Sequence, residues 1–152
     1  IMSKYGDKAE ALFRQGYNCS QAVLCAFDDL TGLEHDLAAK IGSSFGGGLG
    51  RMREVCGAVS GAAMVLGILR GYSDPEDVQA KRGHYHLVQE FARIFREENG
   101  SIICRELLSG TPVVKGDDPE PRTESYYRKR PCPELVREAA EITAQLLGKT
   151  VQ

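Results

Sequence analysis

The sequence predicts an all-α fold, a single-domain multi-helix bundle spanning residues 1–152, on three observations. Apolar residues recur at helical spacing in several segments. Capping residues, prolines and glycines bracket those segments in the order that starts and stops helices. Runs that alternate Val, Ile or Thr with polar residues, the mark of a half-buried strand, are nearly absent.

The elements follow in order. A first helix is expected over residues 3–15, stopped by Gly16. Asn18-Cys19-Ser20-Gln21 reads as a capping box, with Asn18 as cap and Gln21 reaching back. It opens a helix to residue 30 with Cys19, Ala22, Val23, Ala26 and Phe27 on one stripe. A short helix over residues 35–41 leads into Gly46-Gly47-Gly48-Leu49-Gly50, and an apolar helix over residues 52–69 follows, ended by Gly71. Asp74-Pro75-Glu76 puts proline at the first helical position of a long helix to residue 98. Its apolar side carries Val78, Tyr85, Val88, Phe91, Ile94 and Phe95, and Asn99-Gly100 ends it. Ser101 is placed to cap a short helix over residues 102–108. Residues 109–131 read as one polar loop, long enough to suggest function or mobility. Pro131-Cys132-Pro133-Glu134 opens a last helix to residue 147, ended by Gly148. No internal repeat and no domain boundary interrupts the series.

Composition agrees with one folded domain. The 152 residues are 42% hydrophobic and 26% charged, enough to bury about two-thirds of the unfolded surface without disulfides. Lys+Arg 19 against Asp+Glu 21 gives a net charge of −2, so no sequence-wide basic field exists to attract nucleic acid or an anionic membrane. The longest apolar stretch, residues 55–69, is broken by glycines and is shorter than the about 20 residues that span a bilayer. Residues 1–7 lack the basic flank and apolar core of a secretory signal, and Ile1 ahead of Met2 reads as a tag remnant. The expectation is a soluble, cytoplasmic protein without nucleic-acid or membrane partners, assembled as a two-fold homodimer.

Cysteine usage carries the chemistry. Five cysteines, Cys19, Cys25, Cys56, Cys104 and Cys132, form no C-x-x-C pair. The odd number argues against a secreted disulfide framework, and the missing pair against thioredoxin-type and zinc-ribbon sites. On the predicted helices, Cys19, Cys56, Cys104 and Cys132 each fall at or near a helix start. Exposed N–H groups and the helix dipole there favour the thiolate, which is both the nucleophile and the metal ligand. Cys25 lies mid-helix and outside the pattern. A single cysteine is more often a small core hydrophobe; four at helix starts point to a thiol site.

Other segments are weaker. Gly46 to Gly50 with Arg51 and Arg53 could cradle a phosphate, but lack the G-K-[ST] ending of a P-loop and follow no strand. A cysteine-phosphatase loop would need arginine where Ala62 stands. Gly57 and Gly61, one turn apart, equally suit the close approach of another helix to Cys56. His84 reads as a hydrogen-bonded core residue, His86 as solvated and His35 as a helix-start residue without a role. Tyr126-Tyr127-Arg128-Lys129-Arg130 mixes rings and cations as a single-stranded nucleic-acid contact would; in an acidic chain it reads as a solvated loop.

Four stretches resemble one known family. They are Gly16-Tyr17-Asn18-Cys19-Ser20-Gln21-Ala22-Val23, Gly46 to Arg51 with Cys56-Gly57-Ala58-Val59-Ser60-Gly61, Gly100 to Leu108 around Cys104, and Cys132-Pro133-Glu134-Leu135-Val136. Together they resemble the redox-active proteins named for their cysteine pattern, C-GCAxxG-C-C. One departure is Val55, which stands where the pattern has glycine before Cys56. The resemblance puts the family's four cysteines on Cys19, Cys56, Cys104 and Cys132, the set the helix starts select, with Cys25 extra in both.

The resemblance implies redox activity, with an iron–sulfur cluster or other prosthetic group at the four cysteines. Three functions are consistent with the residues. In the first, Cys19, Cys56, Cys104 and Cys132 bind an iron–sulfur cluster for electron transfer, or zinc as a structural clamp, and an electron-transfer or oxidoreductase partner completes the pathway. In the second, no cofactor is bound and thiol–disulfide exchange uses Cys56, beside two arginines, as the attacking thiolate. In the third, the chain is a non-enzymatic helical accessory or adaptor domain whose thiols are core residues.

Overall fold

The computed structural model describes residues 3–149. Among them are nine helices and no strand: α1 (Lys4–Arg14), α2 (Cys19–Ala26), α3 (Asp28–Thr31), α4 (His35–Ser43), α5 (Gly57–Arg70), α6 (Val78–Asn99), α7 (Cys104–Leu107), α8 (Glu124–Lys129) and α9 (Cys132–Leu146). The fold is all-α.

Helix α2 is the centre. Ala22 through Phe27 are all 0–1% exposed, and α1, α4, α5 and α9 pack around them. Burial of each leucine, valine or phenylalanine in this layer stabilises the fold by about 1.5–3 kcal/mol. Phe13, Phe91, Phe95, Leu66 and Val136 complete the core. Tyr5 stacks on Phe27 with centroids 4.4 Å apart, and its hydroxyl donates to Asp29 at 2.9 Å. Burial, then that carboxylate, push the phenol up to about 12.

The predicted capping box is present in both directions. The Gln21 N–H donates to Asn18 Oδ1 at 2.8 Å and the Asn18 N–H to Gln21 Oε1 at 2.9 Å. The outer atoms of both side chains then reach α4, Asn18 Nδ2 donating to the Ser43 carbonyl and Gln21 Nε2 to that of Ala39. One motif thus starts α2, places Cys19 at its first position and fastens α4. Asn18→Ala is expected to cost about 1 kcal/mol, read by urea denaturation; an unchanged midpoint would overturn this role for the cap.

Helix α5 packs on α2 at unusually short range. A Cβ built on Gly61 would lie 2.7 Å from the Ser20 carbonyl oxygen and 3.0 Å from Val23 Cβ. On Gly57 it would meet the Phe45 carbonyl at 2.9 Å and Cys19 Cβ at 3.1 Å. The contacts bear out the close helix approach expected at these two glycines.

Several boundaries differ from expectation. The apolar helix starts at Gly57 rather than residue 52, because residues 47–53 run through a left-handed turn. Gly47, Gly48 and Gly50 have positive φ, and so do Leu49, Arg51 and Arg53, at φ 69, 63 and 63. The helix expected to residue 30 breaks at Phe27 (φ −104, ψ 22) into α2 and the single turn α3. Pro75 lies in a turn where Asp74 Oδ1 accepts from the Glu76 N–H, and Asp77 caps α6 instead. The segment expected as one loop contains α8, capped by Thr123. No helix among the described residues is long and apolar enough to cross a membrane.

Candidate functional site

Four helix starts deliver the thiols. Cys19, Cys104 and Cys132 occupy the first positions of α2, α7 and α9, and Cys56 is the N-cap residue of α5. The offsets from expectation are small: Cys56 precedes its helix, Ile103 rather than Ser101 caps α7, and Pro131 takes the cap position expected for Cys132. Ser101 Oγ still accepts from the Ile103 N–H, one residue before Cys104.

Two of these segments are paired by backbone. The Cys56 N–H donates to the Ile102 carbonyl at 2.8 Å and the Cys104 N–H to that of Glu54 at 2.6 Å, around an antiparallel bridge between Val55 and Ile103. Gly48 lies over this pairing; a Cβ there would come within 2.7 Å of Cys104 Cβ. Cys19 and Cys132 arrive from α2 and α9. All four thiols line one cavity of about 60 Å³, together with Arg53, Arg122, Tyr126 and Arg130. The cysteines are all unpaired thiols; Cys56, Cys104 and Cys132 are buried and Cys19 is half-buried. Cys25 is absent from the cavity wall and buried at 1% exposure in the core.

The cavity treats its thiols unequally. A hydrogen bond from Cys19 pulls Cys132 down to about 7, with Arg130 and Arg122 adding to it and burial opposing. Cys19 is pushed up by the same hydrogen bond, by burial and by the neighbouring thiols. Burial pushes Cys56 up to about 12 although the Ala58 and Val59 N–H groups point at its sulfur. Burial also raises Cys104, opposed by Arg53, whose Nη1 donates to Sγ at 3.8 Å.

The expectation that two arginines activate Cys56 is therefore corrected. Arg53 serves Cys104, and Arg51 donates to the Val114 and Gly116 carbonyls. Among the four, the thiol held nearest neutrality is Cys132.

The loop expected to be solvated supplies the cations. Arg130 is 6% exposed, lies 4.7 Å from the Tyr126 ring centre and pairs with Glu120. Arg122 donates to the carbonyls of Phe13 and Tyr17 at 2.9 and 3.0 Å, with its guanidinium 4.3 Å from the Phe13 ring. These contacts fold residues 120–130 down onto the end of α1. Burial and the nearby Cys132 push the Tyr126 phenol up to about 12. The available signal was the cluster Tyr126-Tyr127-Arg128-Lys129-Arg130, which ends immediately before Pro131-Cys132-Pro133. The histidines stand apart from the cavity: His35 Nε2 pairs with the Tyr17 hydroxyl at 2.9 Å, His84 packs on the Tyr72 ring with its Nδ1 unpartnered, and His86 is exposed.

Donor positions limit what the cavity can hold. Among the described residues no three His, Cys, Asp or Glu side chains are arranged around a point that could take a single metal ion. The four sulfurs instead surround a volume; Cys56, Cys104 and Cys132 each lie near groups that favour the charged form, while the surroundings of Cys19 favour its neutral form.

A helical protein with a chamber walled by four cysteines and three arginines is the class that fold and site define. A family model described as "Putative redox-active protein (C_GCAxxG_C_C)" matches residues 17–146, and the chain belongs to that family. No curated protein and no solved structure matches the chain. All four cavity cysteines and the Cys56-Gly57-Ala58-Val59-Ser60-Gly61 segment lie inside the matched span.

Proposed function

We propose that the four cysteines hold an iron–sulfur cluster and that the protein transfers electrons through it. The observation that supports this reading is the meeting of four distant thiols at one small cavity. Such a cluster shares four cysteine sulfurs among two or four irons, so no three of them need converge on one ion. A closed zinc clamp, by contrast, needs all four sulfurs to converge on one ion.

The donor set suits the cluster in a second way. Thiolates bound to iron carry negative charge, and the chain supplies compensation at each position named. The Ala58 and Val59 N–H groups face Cys56, Arg53 donates to Cys104, and Arg130 faces Cys132. When bound, the cluster would supply reversible one-electron chemistry; the residues fix its ligands, offset its charge and bury it from water.

The test is protein purified without oxygen, assayed for iron, acid-labile sulfide and a sulfur-to-iron charge-transfer band. Iron and sulfide in equal amounts with that band are expected, and Cys56→Ser is expected to lose both while keeping the helical spectrum. Protein that stays free of iron after reconstitution with ferrous iron and sulfide would overturn the cluster.

One observation favours a second reading. Cys132 and Cys19 line the same cavity wall, and the Cys19 thiol, with Arg130 and Arg122, holds Cys132 below the ordinary thiol value. The metal-free protein could then act by thiol–disulfide exchange with Cys132, not Cys56, as the attacking thiolate. The Cys132 sulfur would attack a partner disulfide, forming a mixed disulfide and releasing one partner thiolate. Cys19, losing its proton, would attack the Cys132 sulfur and release the second. Two electrons pass from the Cys19–Cys132 dithiol to the partner disulfide, and the dithiol becomes a disulfide. Glutathione redox titration followed by peptide mapping reads this directly; failure of Cys19 and Cys132 to pair would overturn it.

A further inference from the structure

A second cavity opens beside the thiol chamber. It is a cleft of about 560 Å³ between the left-handed turn at residues 46–53 and the segment at residues 117–130. Asn18, Gly47, Arg53, Arg122, Tyr126 and Arg130 line both cavities, so the cleft adjoins the thiol chamber. Its volume falls in the range of small-molecule sites, about 300–1,000 Å³.

The wall chemistry is one-sided. Arg51, Arg53, Arg122 and Arg130 line the cleft against two carboxylates, Asp117 and Glu120, leaving two positive charges in excess. Three of these guanidiniums converge on a single oxygen. Glu120 Oε2 lies 3.5 Å from Arg51 Nη2 and 3.6 Å from Arg53 Nη2, and it also pairs with Arg130. Arg51, Arg53 and Arg130 are at most 17% exposed at their side chains. Like charges gathered this closely repel one another, and only an anion at their centre makes the arrangement favourable.

The backbone is strained to place two of them. Arg51 and Arg53 both sit at φ 63, a left-handed conformation that disfavours residues with a Cβ. Core packing does not require this, since neither side chain belongs to the core. The turn brings both guanidiniums beside the Glu120 carboxylate, with Arg51 also donating to the Val114 and Gly116 carbonyls, and Glu120 is borne on a segment without helix or strand.

We propose that the cleft is a binding site for a small dicarboxylate, one carboxylate of which displaces Glu120 from Arg51, Arg53 and Arg130. Glu120 is the internal occupant that keeps the arginines apart from solvent until the ligand arrives. Planar, bidentate pairing of guanidinium with carboxylate sets the class of ligand. The second carboxylate balances the remaining excess charge toward Arg122. The site stands independently of what the cysteines carry, and it would bring such a ligand to the wall of their chamber.

Succinate titrated into the full-length protein by calorimetry tests this, with inorganic phosphate as the comparison. Succinate is expected to bind the wild type and to bind Glu120→Gln at least about tenfold more tightly, because the internal competitor no longer carries charge. Arg53→Gln is expected to weaken binding by a similar factor. No succinate binding to either protein, equal affinity for both, or indifference to Arg53→Gln would overturn the proposal. Phosphate binding as tightly as succinate would overturn the carboxylate assignment. Should Glu120→Gln fail to fold, Glu120→Asp keeps the charge but draws it back by one methylene, and it is expected to tighten succinate binding by a smaller factor; affinity equal to the wild type would overturn the proposal.

Discussion

Gly61→Ala is expected to destabilise the protein by about 2–3 kcal/mol and to lower its Tm by roughly 5–10 °C. Two effects oppose each other at this position. Alanine is the better helix former by about 1 kcal/mol. The new methyl, however, would lie 2.7 Å from the Ser20 carbonyl oxygen and 3.0 Å from Val23 Cβ. The first is backbone and the second is fixed to it, in a helix whose neighbours are fully buried, so neither can step aside. Separation of α2 from α5 follows, and overpacking outweighs propensity. Gly67 supplies the control on the same helix. A Cβ there meets nothing within 4 Å, so Gly67→Ala is expected to stabilise by up to about 1 kcal/mol. Paired melting curves read both; shifts of the same sign would contradict the close-packed interface.

The second large effect is the reactivity of Cys132. In reduced, metal-free protein one thiol is expected to alkylate with a midpoint near pH 7, and Cys132→Ser is expected to abolish that phase. The Cys19 hydrogen bond, then Arg130 and Arg122, hold Cys132 below the ordinary thiol value, which enriches its thiolate at neutral pH relative to an unperturbed cysteine. Arg130→Gln removes one of the lowering charges and is expected to move the midpoint upward. A midpoint unaltered by that change would remove Arg130 as a cause and leave Cys19 and Arg122. Stability follows with a definite sign. Between pH 7 and 9 the folded chain has released the Cys132 proton while the unfolded chain retains it, so stability rises with pH. Above pH 9 the raised values of Cys19 and Cys56 reverse the slope, because the unfolded thiols ionise and the folded ones do not.

Two of the helix starts that hold the cysteines, those of α2 and α9, were legible because their signals are local. Asn18 with Gln21 forms the capping box that the sequence spells, and Pro133 lies in the first turn of α9. Convergence of the four thiols was not legible. It depends on the backbone pairing of residues 54–56 with 102–104, which no periodicity announces. The left-handed turn was hidden for a similar reason: its glycines were visible, but Leu49, Arg51 and Arg53 share a conformation that their side chains do not advertise. Arg122, Arg130 and Glu120 were missed because a polar, proline-containing segment reads as solvent-facing. Only the tertiary contacts to α1 and to the left-handed turn bury it. His84 and Cys25 show the converse, residues of reactive type that the fold leaves outside the cavity.

The placement of Cys132 at the first turn of α9 bears on the order in which the molecule matures. As the chain leaves the ribosome, three of the four sulfurs emerge long before their enclosure exists. Only when residues 132–146 dock against α1, α2 and α5 does the chamber gain its last wall. A chain that ends before α9 therefore lacks both the fourth sulfur and the helix that closes that side of the chamber.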